Sequence, residues 1–194
     1  MEIALDLDGV LCNFSQVAID TIRELRMVDL PADYVHTAWS FEDVLQPGQW
    51  GIVFDHLMRR ENFWMRLPAF EENVEALRAY IEDHGDKGIS FITARPESNG
   101  ANAVVQTQLW LLDKKIGPLG MEVFIAQGAD AKRQVIEGER IQFFLDDSPA
   151  NVRICQDLPD HRAFLLDQPY NRHDIDLPRV YSVAEFLLEV EAAS

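Results

Sequence analysis

The sequence predicts an α/β fold in which a parallel sheet is covered by helices on both faces, with a small helical insertion after the first strand. Three observations predict it. From residue 68 onward, short apolar runs take turns with stretches of helical periodicity. The apolar runs are near-continuous, the pattern of strands buried on both sides. The one region outside this alternation, residues 14–68, holds Trp39, Trp50 and Trp64, three of the four tryptophans, and carries no strand pattern.

In chain order, Ile3, Ala4 and Leu5 form an apolar run too short for a helix, followed by Asp6, Leu7, Asp8 and Gly9: a buried strand that runs into two acids and a glycine. Residues 14–28 place Phe14, Val17, Ala18, Ile22 and Leu25 on one helical face, and Pro31 breaks that helix. A second helix is expected over 49–60, with Trp50, Val53, Phe54 and Leu57 on one side. The aromatics of this region, Tyr34, Phe41 and Phe63 among them, fit a mini-core that holds the insertion together. The spacing of Val74, Leu77, Tyr80 and Ile81 predicts a helix over 71–84, with Gly85 and Gly88 at its exit. Residues 89–92 are the next strand, ending in Thr93, Ala94, Arg95 and Pro96. A helix over 102–115 closes at Gly117 and Pro118, 122–126 is a third strand, and Lys132 opens a short helical stretch. Residues 141–145 form a fourth strand that also runs into acids, Asp146 and Asp147. Ser148 and Pro149 then start a helix to 158 as N-cap and first-turn proline. A fifth strand over 161–167 and a helix over 183–192 complete the chain. The expected division is a core of residues 1–13 and 69–194 with 14–68 inserted.

Composition bounds the function. With 194 residues and 47% hydrophobic content, one core domain with a modest insertion needs no covalent staples. A net charge of −16 argues against a nucleic-acid polymer, whose backbone asks for a basic face. A small anionic substrate remains open, its charge met locally. Cys12 and Cys155 are too few for a disulfide framework and lack metal-ligand spacing. The amino terminus has no basic segment before a long apolar run, and no apolar stretch is long enough to span a bilayer. A cytoplasmic protein, away from membranes, is expected.

Two strands that each run into paired acids predict four carboxylates at one sheet edge, an arrangement that is costly without a cation. Ligands bind at that edge of a parallel sheet. The polar strand ends, taken in order, match what phosphoryl transfer needs: an in-line nucleophile, a proton donor, a cation and hydrogen-bond donors around the phosphate. Asp6 can be the nucleophile that forms an aspartyl-phosphate, and Asp8 can protonate the leaving alcohol and then deprotonate water. Gly9, Thr93 and the amides of Ala94 and Arg95 can hold phosphate oxygens, and Lys132 can neutralise both phosphate and nucleophile. Asp6, Asp8, Asp146 and Asp147 are the candidate metal ligands, and an all-oxygen set with a backbone carbonyl favours Mg²⁺ over zinc. Other roles stay open for several of these. Lys132 has Arg133, Lys114 and Lys115 as rivals, Arg95 fits an ion pair with an edge acid as well as a substrate contact, and Asp147 can orient Lys132 or bind metal through water.

Asp6-Leu7-Asp8-Gly9-Val10, Ile92-Thr93, Lys132 and Leu145-Asp146-Asp147, in that order, resemble the four motifs of the haloacid dehalogenase superfamily of phosphohydrolases. The resemblance implies a Rossmann-like core, Mg²⁺ and an aspartyl-phosphate intermediate. Within the superfamily the chain is most similar to the 5′(3′)-deoxyribonucleotidases. That similarity runs end to end, through residues 8–14, 62–68, Trp110, Leu145 to Ser148, and Tyr170-Asn171-Arg172-His173. It implies a helical cap after the first motif, base stacking by Phe14, Phe63 and Trp64, and a nucleoside monophosphate substrate. A homodimer is allowed. Two positions depart from the family: Thr93-Ala94-Arg95 stands where it has Thr-Ser-Pro, and Thr107 where it has lysine. Thr-x-Arg followed by Thr107-Gln108-Leu109-Trp110 also resembles the phosphatase half of polynucleotide kinase phosphatases. A polynucleotide 3′-phosphatase is thus one alternative, and a non-catalytic nucleotide-binding module is another.

Overall fold

The computed structural model describes residues 2–193; the outermost residues of the expected core, 1 and 194, lie outside them. Six strands form one sheet: β1 (Ile3–Leu5), β2 (Ile89–Thr93), β3 (Glu122–Ile125), β4 (Phe143–Asp146), β5 (Arg162–Leu166) and β6 (Arg179–Val180). Their order is β3-β2-β1-β4-β5-β6, with every neighbouring pair parallel. β1 is central, with Leu5 in register with Phe91 on one side and Leu145 on the other.

Successive side chains of a strand point to opposite faces, and both faces here are apolar. Ile3, Leu5, Phe91, Phe143 and Leu145 join one buried cluster, while Ala4, Ile92, Phe144 and Leu165 join a second. The first cluster is covered by α3 (Glu71–His84), α4 (Ala103–Asp113) and α7 (Val183–Glu191), which contribute Leu77, Trp110 and Phe186. The second is covered by α5 (Ala129–Gly138) and α6 (Pro149–Arg153), through Ile136 and Val152. Burial on both sides explains the near-continuous apolar runs. Each fully buried Leu or Phe contributes about 1.5–3 kcal/mol, so the sheet edge is a rigid platform for whatever stands on it.

The stretch after β1 holds α1 (Phe14–Glu24), α2 (Gln49–Met58) and a 3₁₀ turn, Trp64–Arg66, with no strand among its described residues. It leaves and returns at one place. Asn13 donates its N–H to the Pro68 carbonyl (2.8 Å) and Phe70 donates to that of Leu11 (2.8 Å). Inside it, Phe41 stacks on His36 (3.9 Å between ring centroids) and Trp50 (5.2 Å), the mini-core expected of these aromatics.

The elements differ from expectation at their ends. α1 stops at Glu24 and not at 28, because Arg26 turns into the left-handed region at φ 52° and donates to the Arg23 carbonyl, three residues back instead of four, which ends the helical ladder. The strand expected over 141–145 starts at Phe143, since the Ile141 N–H is spent on Ile136 at the end of α5. α6 is only five residues long. β6 was not expected at all: two residues at the sheet edge carry no readable period. No helix among the described residues is long and apolar enough to cross a membrane.

Candidate active site

Because β2 lies on one side of β1 and β4 on the other, the chain direction across the sheet reverses at β1, which opens a crevice at the carboxyl ends of these strands. Asp6 follows the last residue of β1, Thr93 ends β2 and Asp146 ends β4. Lys132 reaches the same place from the first turns of α5.

The centre is one buried cation among carboxylates. Lys132, Asp6 and Asp146 are 2%, 4% and 0% exposed. The Lys132 ammonium donates to Asp6 Oδ1 and to Asp146 Oδ2, the latter at 2.7 Å. Asp146 is held from its far side as well: its Oδ1 accepts from the Ser148 amide (2.7 Å), and Asn151 Nδ2 donates to both carboxylate oxygens (3.1 and 3.0 Å). Asp6 Oδ2 accepts nothing from any described residue. Burial lifts the Asp6 carboxyl to about 7, with Lys132 pulling it down and Asp146 and Asp8 pushing it up. Burial works against the Lys132 charge too, yet Asp146 and Asp6 keep its pKa above the usual lysine range. For Asp6 the loss of water outweighs its ion pair.

Asp147, one residue on, faces another way. Its Oδ2 accepts from the Tyr170 hydroxyl at 2.5 Å, and its backbone carbonyl accepts from Asn171 Nδ2 at 2.8 Å. Burial, followed by repulsion from Asp146 and Asp6, raises its pKa well above the carboxylate range. Gly9 sits directly against this pair. Its φ is +95°, and a Cβ there would overlap the Asp147 carboxylate and stand 2.7 Å from the Tyr170 oxygen. Only glycine satisfies both the backbone angle and the close approach.

Asp8 is drawn to Arg95. The guanidinium binds its two oxygens side by side, Nε to Oδ2 at 2.9 Å and Nη2 to Oδ1 at 2.8 Å, while Thr93 Oγ1 stands 3.5 Å from Oδ2. The Asp8 side chain keeps 21% exposure; that of Arg95 has none. Ala94 is exposed beside them.

These groups open onto one cavity of about 260 Å³. The candidate catalytic, phosphate-binding, metal-binding and base-stacking residues all line it except Phe63, which is 3% exposed and packs edge-on behind Trp64 with centroids 4.8 Å apart. Phe14 and Trp64 stack at 6.2 Å and form part of the wall. The cavity also takes in residues to which sequence reasoning assigns no role in the site, notably Ser15, His36, Trp39, Asn151 and Tyr170. His36 Nε2 faces the Ala38 carbonyl (2.7 Å), which can only accept, so Nδ1 is left to accept from Ser15 Oγ (2.8 Å). Burial lowers the pKa of His36, consistent with that neutral tautomer. Tyr170 belongs to a stretch already noted for its resemblance, and that was the available signal. His36 lies in an aperiodic loop without one, and Trp39, in the same loop, is marked only by the tryptophan-rich composition of residues 14–68.

The donor set fits a magnesium ion. Asp8 is matched by Arg95, whereas Asp6 and Asp146 share the single Lys132 ammonium and Asp147 is held by the neutral Tyr170 hydroxyl. Among the described residues, no three acidic, histidine or cysteine side chains converge to chelate one ion. Mg²⁺ does not ask for that: it keeps several waters and is commonly held by one or two carboxylates.

Residues 1–193 match the family described as 5′ nucleotidase, deoxy (pyrimidine), cytosolic type C. A Bacillus cereus protein whose name assigns it provisionally as a nucleotidase is 23% identical over 95% of both chains. Among solved structures, CbbY from Rhodobacter sphaeroides in complex with phosphate aligns over 95% of both chains (TM-score 0.54, 16% identity). The β-phosphoglucomutase of Clostridium difficile aligns over 99% of this chain and 95% of its own (TM-score 0.52, 12% identity). At these identities the two structures speak for the fold, a Rossmann-like α/β core of the haloacid dehalogenase type.

Proposed function

Since the chain belongs to the 5′ nucleotidase, deoxy (pyrimidine), cytosolic type C family and is a phosphatase of the haloacid dehalogenase superfamily, we propose that it is a Mg²⁺-dependent phosphomonoesterase. Its substrates are deoxynucleoside monophosphates, cleaved to nucleoside and phosphate through an aspartyl-phosphate on Asp6. The observation that carries this reading is the Lys132 ammonium, buried between Asp6 and Asp146 at the floor of a cavity walled by aromatic rings.

Asp6 Oδ1 is held by Lys132, which leaves Oδ2 to attack phosphorus. Asp8, two residues on and partly exposed to the cavity, gives a proton to the departing ester oxygen and later takes one from the water that splits the aspartyl-phosphate. Thr93 and the backbone amides of Ala94 and Arg95 receive phosphate oxygens; the Gly9 N–H is spent on the Cys12 carbonyl (2.9 Å), so Gly9 serves the site through its close approach to Asp147 instead. Asp6 and Asp146, with a backbone carbonyl, would hold Mg²⁺, which offsets the negative charge shared by phosphate and nucleophile. Asp147 stays behind them, fixed by Tyr170. Residues 14–68 act as a cap over a core of 1–13 and 69–194; Phe14 and Trp64 stack the base, with Phe63 as their backing. The cap also excludes water from the first transfer. The enzyme works in the cytoplasm on a small substrate.

The test is phosphate release from ribo- and deoxyribonucleoside 5′- and 3′-monophosphates, a 3′-phosphorylated oligonucleotide and a sugar phosphate, each with Mg²⁺ and with EDTA. Metal-dependent turnover highest on deoxynucleoside monophosphates supports the proposal. Preference for the oligonucleotide makes the protein an end-processing phosphatase, and nucleotide binding without release makes it a non-catalytic module.

A further inference from the structure

Arg95 carries the cavity's second cation, and its surroundings leave it no surface for a substrate. Its side chain has no solvent exposure. Nε and Nη2 grip the Asp8 carboxylate, a second Nη2 hydrogen bond reaches Cys12 Sγ at 3.0 Å, and Nη1 donates to Thr107 Oγ1 at 3.0 Å. Four of the five N–H donors of a guanidinium are thereby used inside the protein. The Trp64 ring covers the group, 5.1 Å from its central carbon. Thr107 is itself anchored, donating its hydroxyl to the Ala103 carbonyl one turn back in α4 (2.7 Å), so its oxygen presents a lone pair to Arg95. The chain of contacts runs from helix α4 through Thr107 and Arg95 to Asp8, every link buried except the last, which keeps one side open to the cavity.

We propose that the Arg95 side chain is a positioning group: held by Thr107, Cys12 and Trp64, it grips the Asp8 carboxyl by both oxygens and so aims it at the ester oxygen of the substrate, and the guanidinium does not bind phosphate. This rests on the function proposed above, in which Asp8, carrying its proton on a lone-pair site that the guanidinium leaves free, passes it to the ester oxygen as the P–O ester bond breaks and the Asp6–phosphorus bond forms. A two-point grip fixes the plane of the carboxyl group as well as its distance, which a single hydrogen bond does not. Lysine at 95 keeps the charge and loses the plane.

An ester whose leaving oxygen needs no proton separates aim from mere structure. Arg95→Lys, Thr107→Val and wild type would be compared on a deoxynucleoside 5′-monophosphate, which leaves as an alkoxide unless protonated, and on p-nitrophenyl phosphate, whose phenolate leaves unaided. The reading is kcat/KM, which covers steps up to formation of the aspartyl-phosphate, together with inhibition by inorganic phosphate and a melting curve. Arg95→Lys is expected to lose roughly 10–100-fold on the nucleotide, part of the 10²–10⁴ that general acid catalysis supplies, and less than about 3-fold on the aryl ester. Phosphate inhibition should stay unchanged, and Thr107→Val should show the same selectivity in weaker form. Equal losses on both esters overturn the proposal, as does a weaker phosphate inhibition constant, which would return Arg95 to the phosphate. Should Arg95→Lys fail to fold, Thr107→Val decides: an unchanged ratio between the two esters refutes the chain of contacts. Wild type inactive on both esters would bring down the proposed function and this inference with it; wild type active with an unselective variant brings down the inference alone.

Discussion

Removing the Asp6 charge should make the metal-free protein more stable, and increasingly so as pH rises. Asp6 is 4% exposed, and burial holds its carboxyl near 7 against an ordinary 3.8. Between those values the folded protein keeps a proton that the unfolded chain has released, so the wild-type carboxyl contributes fully below about pH 4 and loses that contribution as pH rises through about 7. A gap of some three units at 1.36 kcal/mol each makes the loss about 4 kcal/mol by pH 8. Asp6→Asn does not titrate, and its amide oxygen still accepts from Lys132. In EDTA near pH 8 the variant should melt roughly 10 °C above wild type, at 2–4 °C per kcal/mol for a chain of this size, and the gap should close toward pH 4. Added Mg²⁺ should raise wild type more than the variant, because binding to the folded state alone stabilises it and the variant has lost a charged ligand. Melting by circular dichroism across pH, with and without Mg²⁺, measures all of this. A variant no more stable than wild type near pH 8 in EDTA, or a gap that ignores pH, would show that the Lys132 ion pair outweighs burial at Asp6 and would refute the reasoning.

Two further outcomes follow from the site. Gly9→Ala forces a Cβ into Asp147 and keeps a left-handed backbone angle, so urea unfolding should show a loss of about 2 kcal/mol or more, and phosphate release should fall at least 100-fold; near-normal activity would place Asp147 and Tyr170 outside the working site. Trp39 is 48% exposed at the cavity wall, with its ring edge-on to Tyr170 at 5.4 Å. Trp39→Ala should leave the melting temperature within about 1 °C while raising KM for deoxynucleoside monophosphates roughly 5- to 100-fold, the range of one lost base stack, with no change for glycerol phosphate; an equal rise on both would deny Trp39 any contact with the base.

The acids were legible because each stands where an apolar run meets a polar stretch, and a parallel sheet gathers such ends at one edge whatever the loops between them do. Asp6, Asp8, Thr93 and Asp146 reach the crevice on that ground alone, and Lys132 by its place before the fourth strand. The aromatic wall was legible only as composition. His36, Phe41 and Trp39 lie in irregular chain between α1 and α2, where no period ties a residue to a face, so which rings meet the cavity and which back others depends on packing across long sequence separations. Phe63 illustrates this: it neighbours Trp64 in sequence, yet the 3₁₀ turn sends it behind that ring.

Arg95 marks where sequence reasoning runs out. An arginine after the second strand has two plausible anionic partners, the substrate's phosphate and a sheet-edge acid, and charge alone favours neither. Burial separates them. A guanidinium with four donors engaged inside the protein and a tryptophan over its face would have to give up its pairing with Asp8 before it could reach a phosphate, leaving a buried cation and a carboxylate unmatched together, and breaking a buried pair costs about 3–5 kcal/mol. A phosphate has cheaper donors in the backbone amides after Thr93 and, at the centre, in Lys132. The hydroxyl at 107 completes the argument: it accepts the guanidinium's outer nitrogen, where a lysine would set a second cation against it. Residues 95 and 107 therefore act as one unit, twelve positions apart in sequence and 3.0 Å apart in space, and replacing either alone should disturb Asp8 before it disturbs the fold.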